Sequence, residues 1–421
     1  MTTLVGALVV AAGGLLMGSG AWPFKLMRLY KFEHWWFIGM LVGLVVMPWA
    51  VTLAGCPHPL QSLREVPLSA ILLGNLFALG WGIANVLCGL CYVRIGVALT
   101  GAILAGLGVS VGAIIPLVFK GSGLFKDAAD LSSPAGMVVL VSVGVMLLGV
   151  VVASLAGFGR ERALAKAEAD LEGDVIAVKT SGVFLGGLIM TVIAGILSSF
   201  MAFAFVYSQG PIVARFSQVQ PGSEVTITVA GWDKLTGKYA VRPDGTVELP
   251  KVGPTTIGGM NAAEAALRIA ESLGFKYEVN PTDVQVETGS IPATFAVFAV
   301  GLLAGALVNI GYAAYLLTKN RSWGILMQCP RELFLAVIIG VGFSLAVALM
   351  GKGMLLLGAL GASIGWGIQQ AMQMTGTQLL GFISGEWRGV HGKPRVQMFV
   401  AIAIFIAAAV IMAYGNTLSK N

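Results

Sequence analysis

The residues best suited to chemistry in this chain are neutral and amide-bearing. Trp366, Gln369, Gln370, Gln373 and Thr377 follow one another at i, i+3, i+4, i+7 and i+11, a spacing that sets them largely along one face of a helix. An indole face packs against C–H groups, and amides both donate to and accept from hydroxyls, so this surface suits a neutral sugar. Glutamines also join helices through interhelical hydrogen bonds, and spacing alone leaves both readings standing. Trp81 and Asn85 repeat the aromatic–amide pairing at i, i+4, and Asn309 and Tyr312 place another amide and a phenol on adjacent turns. For proton transfer the candidates are Glu33 with its neighbour His34, and Glu386; a surface ion pair with Lys25 or Lys31 is the alternative role of Glu33. No catalytic triad, phosphate-binding loop or metal-ligand cluster accompanies these groups, so neither an enzyme nor a cofactor is expected. Cys88 and Cys91 form a C-x-x-C inside an apolar run without a second pair, which reads as helix packing.

What must position these groups is a membrane bundle. The 421 residues are 57% hydrophobic and 11% charged, against about 45–50% and about 25% in soluble domains. Apolar stretches of about 20 residues, enough to cross ~30 Å of hydrocarbon, recur ten times, at 3–22, 35–54, 67–91, 96–119, 135–158, 182–207, 292–317, 333–351, 360–384 and 395–415. Gly358 and Gly361 are candidate breaks at the start of the ninth. Of the basic residues in the short connections, fourteen fall on one side, among them Lys25, Arg160, Lys319 and Arg388, and five on the other, among them Arg64 and Lys352. By the positive-inside rule the first side is cytoplasmic. Both termini and the connection between the sixth and seventh spans then face outward. The first span has its basic residues after it rather than before it, which reads as a retained helix and not a cleaved signal. The net charge of +6 is spread over loops, so a nucleic-acid partner is not expected. Ten spans divided five and five give two halves of opposite orientation, the inverted-repeat plan of many secondary transporters.

Residues 208–290 break the apolar pattern with sixteen charged side chains. Val225, Ile227 and Val229 alternate with threonines, which predicts a half-buried strand. Runs at 239–242 and 246–249 flank Pro243-Asp244-Gly245, which predicts a hairpin. Asn261 with Glu264 resembles a capping box, and the helix that follows is expected to stop at Gly274. Val284 and Val286 suggest a last strand. A soluble α+β domain is therefore expected between the sixth and seventh helices.

Two families share residues with this chain. Pro23-Phe24-Lys25, Glu33 with Trp36, Pro48-Trp49-Ala50, Trp81-Gly82-Ile83-Ala84-Asn85, the stretch from Gly305 to Gly311 and the run from Trp366 to Glu386-Trp387 resemble, in order and spacing, the L-rhamnose–proton symporter family of the drug/metabolite transporter superfamily. The resemblance implies a ten-helix fold that imports a deoxy sugar with a proton. Pro221-Gly222-Ser223-Glu224-Val225, the segment from Gly237 to Thr246, Leu249-Pro250 and the segment from Gly259 to Ala265 resemble the N-terminal domain of polysaccharide export proteins.

The sequence thus predicts an all-α polytopic protein of ten helices in a 5+5 inverted repeat, with first half 1–207, periplasmic α+β insert 208–290 and second part 291–421 in an inner membrane. The expected function is uptake of a neutral monosaccharide, L-rhamnose or a related deoxyhexose, by proton symport. Its expected binding residues are Trp81, Asn85, Asn309, Tyr312, Trp366, Gln369, Gln370 and Gln373, with Glu33 and His34 for the proton. Export or uniport of another small polar metabolite is one alternative. A membrane-embedded receptor or scaffold is another, with a periplasmic glycan or envelope component bound by 208–290. Expected partners are the sugar, H+ and the lipid bilayer.

Overall fold

The computed structural model describes residues 2–418 except 57, 96, 119–131, 173–180, 251, 261, 278, 281–282, 288–289 and 358–360. Sixteen α-helices are present among them: α1 (Thr2–Ser19), α2 (Phe32–Leu41), α3 (Met47–Gly55), α4 (Pro59–Glu65), α5 (Leu68–Ile95), α6 (Val97–Val118), α7 (Pro134–Glu172), α8 (Ser181–Ser198), α9 (Phe200–Phe216), α10 (Ala262–Tyr277), α11 (Ser290–Ala296), α12 (Leu303–Lys319), α13 (Ile325–Gln328), α14 (Pro330–Leu357), α15 (Gly361–Ile383) and α16 (Lys393–Leu418). Five strands lie between α9 and α11: β1 (Glu224–Val229), β2 (Gly237–Ala240), β3 (Thr246–Leu249), β4 (Gly253–Thr256) and β5 (Val284–Glu287).

Hydrocarbon offers backbone groups no partner, so apolar segments satisfy themselves as helices. Among the described residues seven helices are long and apolar enough to cross a membrane, and eight when Ile291–Gly301 and Leu303–Lys319 count as one broken span. α6 contributes a shorter apolar stretch, Gly106–Ile115, while α15, with four glutamines, falls outside that set. Met137, Val141, Leu148 and Leu155 form a stripe on α7, each more than half exposed. In water that stripe would drive aggregation; against lipid tails it costs nothing. The chain is a multi-pass helical membrane protein with a small two-sheet region.

The chain divides into two compact units. The first comprises Met1–Met47, Gly74–Val206 and Leu302–Asn421. Within it α1 packs on α14 and α15, α16 on α7 and α15, α6 on α7, α8 and α15, and α2 on α12 and α14. Small residues set these distances. A Cβ on Gly14 would stand 2.5 Å from the Gln369 carbonyl, one on Gly376 2.6 Å from that of Leu15, and one on Gly43 2.6 Å from that of Gly340. The eighth span proves longer than its apolar core suggests, since α14 runs on through Lys352 to Leu357.

The second unit comprises Pro48–Leu73 and Tyr207–Gly301. β1 pairs antiparallel with β2 on one side and β5 on the other, and β3 pairs antiparallel with β4. Val225, Ile227 and Val229 are buried as the alternation predicts, and they meet Ile269, Leu273 and Val284 in one core. Each such side chain contributes about 1.5–3 kcal/mol. Two expectations are corrected. The Pro243-Asp244-Gly245 turn forms, but its arms meet through a single Val241–Val247 bridge and belong to different sheets. The Gly245 carbonyl instead accepts from Ile257 and Gly258, which ties the turn to the end of β4. α10 also runs past Gly274 to Tyr277, because Leu273 is held in the core and the glycine is tolerated inside the helix. Asn261 of the expected capping box lies outside the described residues.

Candidate functional site

α15 is the helix richest in the predicted groups, and its neighbours split them between two edges. Gln369 and Gln373 face α1. The Gln369 amide donates to Gln373 Oε1 at 2.8 Å and approaches Met17 Sδ at 3.1 Å, and Thr377 donates to the Gly18 carbonyl at 3.2 Å. The contacts to Met17 and Gly18 join α15 to α1, while the Gln369–Gln373 bond lies within α15. Gln369 Oε1 nonetheless has no partner among the described residues and is buried, a state that costs about 1–3 kcal/mol.

Trp366 and Gln370, one turn apart, face α6 instead. The Trp366 indole donates to the Gly108 carbonyl at 3.3 Å. A Cβ on Gly108 would stand 3.6 Å from Gln370 Nε2 and 2.5 Å from Ser198 Oγ. Glycine at 108 thus leaves room for a hydroxyl from α8 and a half-buried amide, and Gly112, whose Cβ would collide with the Trp366 indole, leaves room for the ring one turn further along α6. Gln370 makes no hydrogen bond among the described residues, so both its donor and its acceptor are open to a ligand. Ser198 ends the apolar α8 and gave no sequence signal.

A second group forms where α5 meets α12. A Cβ on Gly305 would touch the Ala78 carbonyl at 2.5 Å and the Trp81 ring at 2.8 Å. Asn309 is fully buried; its amide donates back to the Gly305 carbonyl at 2.8 Å, and its Oδ1 lacks a partner among the described residues. Asn85 is half-buried on α5. Tyr312 stacks on Tyr315 at 6.5 Å. Asn75, not anticipated, accepts from the Ala304 amide at 2.8 Å and pins α5 to the start of α12. No hydrogen bond or ring contact among the described residues joins this group to Trp366 and Gln370.

The proton candidates sit at the start of α2. Glu33 is 5% exposed and accepts from the Asn320 amide at 2.8 Å. Neither Lys25 nor Lys31 pairs with it among the described residues. Lys25 lies beyond α1 in a short 3₁₀ helix and reaches Glu386 and Ser384. His34 is completely buried: its Nδ1 accepts from the Lys31 amide at 3.1 Å, so Nε2 carries the hydrogen donated to the Ser322 carbonyl at 3.3 Å. Glu386 is half-exposed between two cations, Lys25 and Arg160, the latter 3.7 Å from Oε2. Sequence reasoning missed Glu332, 4% exposed at the start of α14, which accepts from the backbone amides of Arg28, Leu29 and Tyr30 at 2.7–3.2 Å. Its position in the first turn of a helix was the available signal. The Tyr30 hydroxyl donates to the Leu326 carbonyl at 2.6 Å. Burial, with Cys329 and Glu332 adding, raises its pKa above the usual phenol value.

These arrangements define a polytopic helical membrane protein that presents amides and indoles between its helices and carries a small α+β domain within the chain. Residues 3–215 match the family described as L-rhamnose-proton symport protein, and the chain belongs to that family. Residues 214–288 match the family described as polysaccharide biosynthesis/export protein, so both resemblances read in the sequence hold. The L-rhamnose-proton symporter of Yersinia pestis bv. Antiqua (strain Antiqua) is 30% identical over 182 residues, 43% of this chain and 49% of that one. The L-rhamnose-proton symporter of Yersinia pseudotuberculosis serotype O:1b (strain IP 31758) is 30% identical over 182 residues, 43% and 48% of the respective chains. The chain spans about half the length of the curated relatives it matches. Those relatives are named as symporters, not as enzymes.

Proposed function

We propose that this chain is a secondary transporter of the inner membrane that takes up a neutral monosaccharide, L-rhamnose or a related deoxyhexose, together with a proton. The match of residues 3–215 to the symporter family carries this reading. The body is ten spans in a 5+5 inverted repeat, six of them within 1–207 and four within 291–421, and the insert 208–290 stands with both termini on the periplasmic side. Gln370 and Trp366 are the first contacts of the sugar, supported by the open amide beside an indole. Gln369 and Gln373 back them through the unfilled Gln369 Oε1. Trp81, Asn85, Asn309 and Tyr312 line the opposite wall, with the unfilled Asn309 Oδ1 as a further acceptor. Glu33, with His34 beside it, takes the proton.

The test is uptake of labelled L-rhamnose by proteoliposomes under an imposed pH gradient, inside alkaline. Accumulation abolished by excess unlabelled L-rhamnose is expected, and a body inert to every monosaccharide overturns the reading. A second reading, a membrane receptor or scaffold for glycan, is favoured by the match of 214–288 to the export family. Retained uptake after deletion of 218–287 rejects it as the sole function.

A further inference from the structure

We infer that the surface formed by residues 27–31 and 319–332 is a binding site for anionic phospholipid headgroups. These two segments are distant in sequence and are held together by buried polar contacts: Glu332 to three backbone amides, Tyr30 to Leu326, Glu33 to Asn320 and His34 to Ser322. Both acids of the region, Glu33 and Glu332, are therefore turned inward and at most 5% exposed. Arg28, Lys31, Lys319, Arg321 and Arg331 are all exposed. The charges turned outward are all positive, and five cations outnumber two carboxylates. The next acid, Glu386, is taken by Lys25 and Arg160.

Arg321 supplies an independent observation. It ends α12 at φ 50, and the turn is closed by Ser322 N–H to the Leu317 carbonyl at 2.9 Å and Arg321 N–H to that of Thr318 at 3.1 Å. This left-handed position is where glycine normally stands, because a Cβ there is strained. An arginine at such a position carries strain that the turn itself does not require.

The occupant follows from the apolar side chains among the cations. Trp323 is 42% exposed; its indole N–H is fixed on Thr318 Oγ1 at 3.0 Å and its ring meets Phe37 at 5.2 Å. Leu29, Met327 and Phe334 are more than half exposed. Cations interleaved with an anchored indole and exposed aliphatics match the boundary of phosphate headgroups and acyl chains. A soluble phosphate would use the first and leave the second wet. The inference stands on the membrane location alone and does not depend on transport.

The test uses the full chain in detergent, titrated with phosphatidylglycerol, with phosphatidylcholine, and with glycerol 3-phosphate as the soluble counterpart, reading thermal midpoint and retained lipid by native mass spectrometry. Phosphatidylglycerol is expected to raise the midpoint and be retained, the other two not. Arg321→Gly removes a cation and a strained backbone together. It is expected to melt above wild type in neutral detergent yet bind phosphatidylglycerol roughly fivefold more weakly. Lys393→Ala, at an exposed cation outside the surface, should leave binding unchanged. Equal binding by Arg321→Gly and wild type overturns the site, and an equal loss in Lys393→Ala reduces it to net charge. Stabilisation by glycerol 3-phosphate alone overturns the lipid assignment.

Discussion

Gln369 and Gln370 are chemically identical neighbours that the fold gives different work. Gln369 is bound to Gln373 and Met17, whereas Gln370, near Trp366 and Ser198, has no hydrogen-bond partner among the described residues. Gln370→Ala should therefore weaken sugar binding roughly tenfold, the loss of a hydrogen bond to a buried hydroxyl, with the thermal midpoint unchanged. Gln369→Ala should lower the midpoint more than it changes affinity. Isothermal titration with L-rhamnose beside a melting curve separates the two, and identical effects would return Gln370 to packing. The spacing in the sequence revealed the helical face but not this division. Which neighbour each edge meets is decided by Gly14, Gly18 and Gly108 on helices hundreds of residues away. The alternative role of Glu33, an ion pair with Lys25 or Lys31, fails for the opposite reason. Lys25 and Lys31 are near it in the chain, yet Lys25 turns to Glu386 while Asn320 arrives from α12 to fill the place.

At the scale of elements, glycines decide how closely the helices approach. A Cβ on Gly14 would meet the backbone of α15, which a rotamer change cannot relieve. Gly14→Val should cost about 1–3 kcal/mol and appear as a lower midpoint and loss of monodispersity in size exclusion. Gly144, with nothing within 4 Å of its would-be Cβ, should accept alanine without loss. In the insert, strand alternation and the turn residues were legible because they follow local rules. The pairing of β3 with β4 was not, because it depends on the Gly245 carbonyl meeting Ile257 and Gly258. Asp244 makes that turn sensitive to pH. Hydrogen bonds from the Thr246 hydroxyl and amide lower its pKa below the usual carboxylate value. A depressed carboxylate gives stability that is full above the unfolded value and is lost as pH falls through the folded one. Deuterium exchange at Thr246, corrected for intrinsic rate, should lose protection over that acidic window in wild type and stay flat in Asp244→Asn. A wild type as flat as the mutant would remove Asp244 from the account.

For the molecule as a whole the decisive questions are which way it faces and whether protons drive it. The bias of basic residues predicts that the insert faces outward, so Lys238→Cys should react with a membrane-impermeant maleimide in intact cells and Lys393→Cys should not. The reverse labelling would invert the topology. Coupling is a choice among three acids on which the fold imposes different surroundings. Glu386 sits between two cations and Glu332 among three amides, so protonating either breaks several charge-assisted contacts. Glu33 is as buried as Glu332 but faces one neutral amide, from Asn320, and taking a proton there breaks no ion pair among the described residues. An ionisable side chain in a membrane helix marks an ion pathway by default. The expected outcome is that wild type concentrates L-rhamnose under an imposed pH gradient. Glu33→Gln should still exchange sugar for sugar but no longer accumulate it, while Glu386→Gln keeps the gradient dependence. Accumulation surviving in Glu33→Gln would move the proton to another group. Wild-type uptake indifferent to the gradient would make the protein a facilitator, and the buried Glu33 would then serve only to hold the end of α12 against α2.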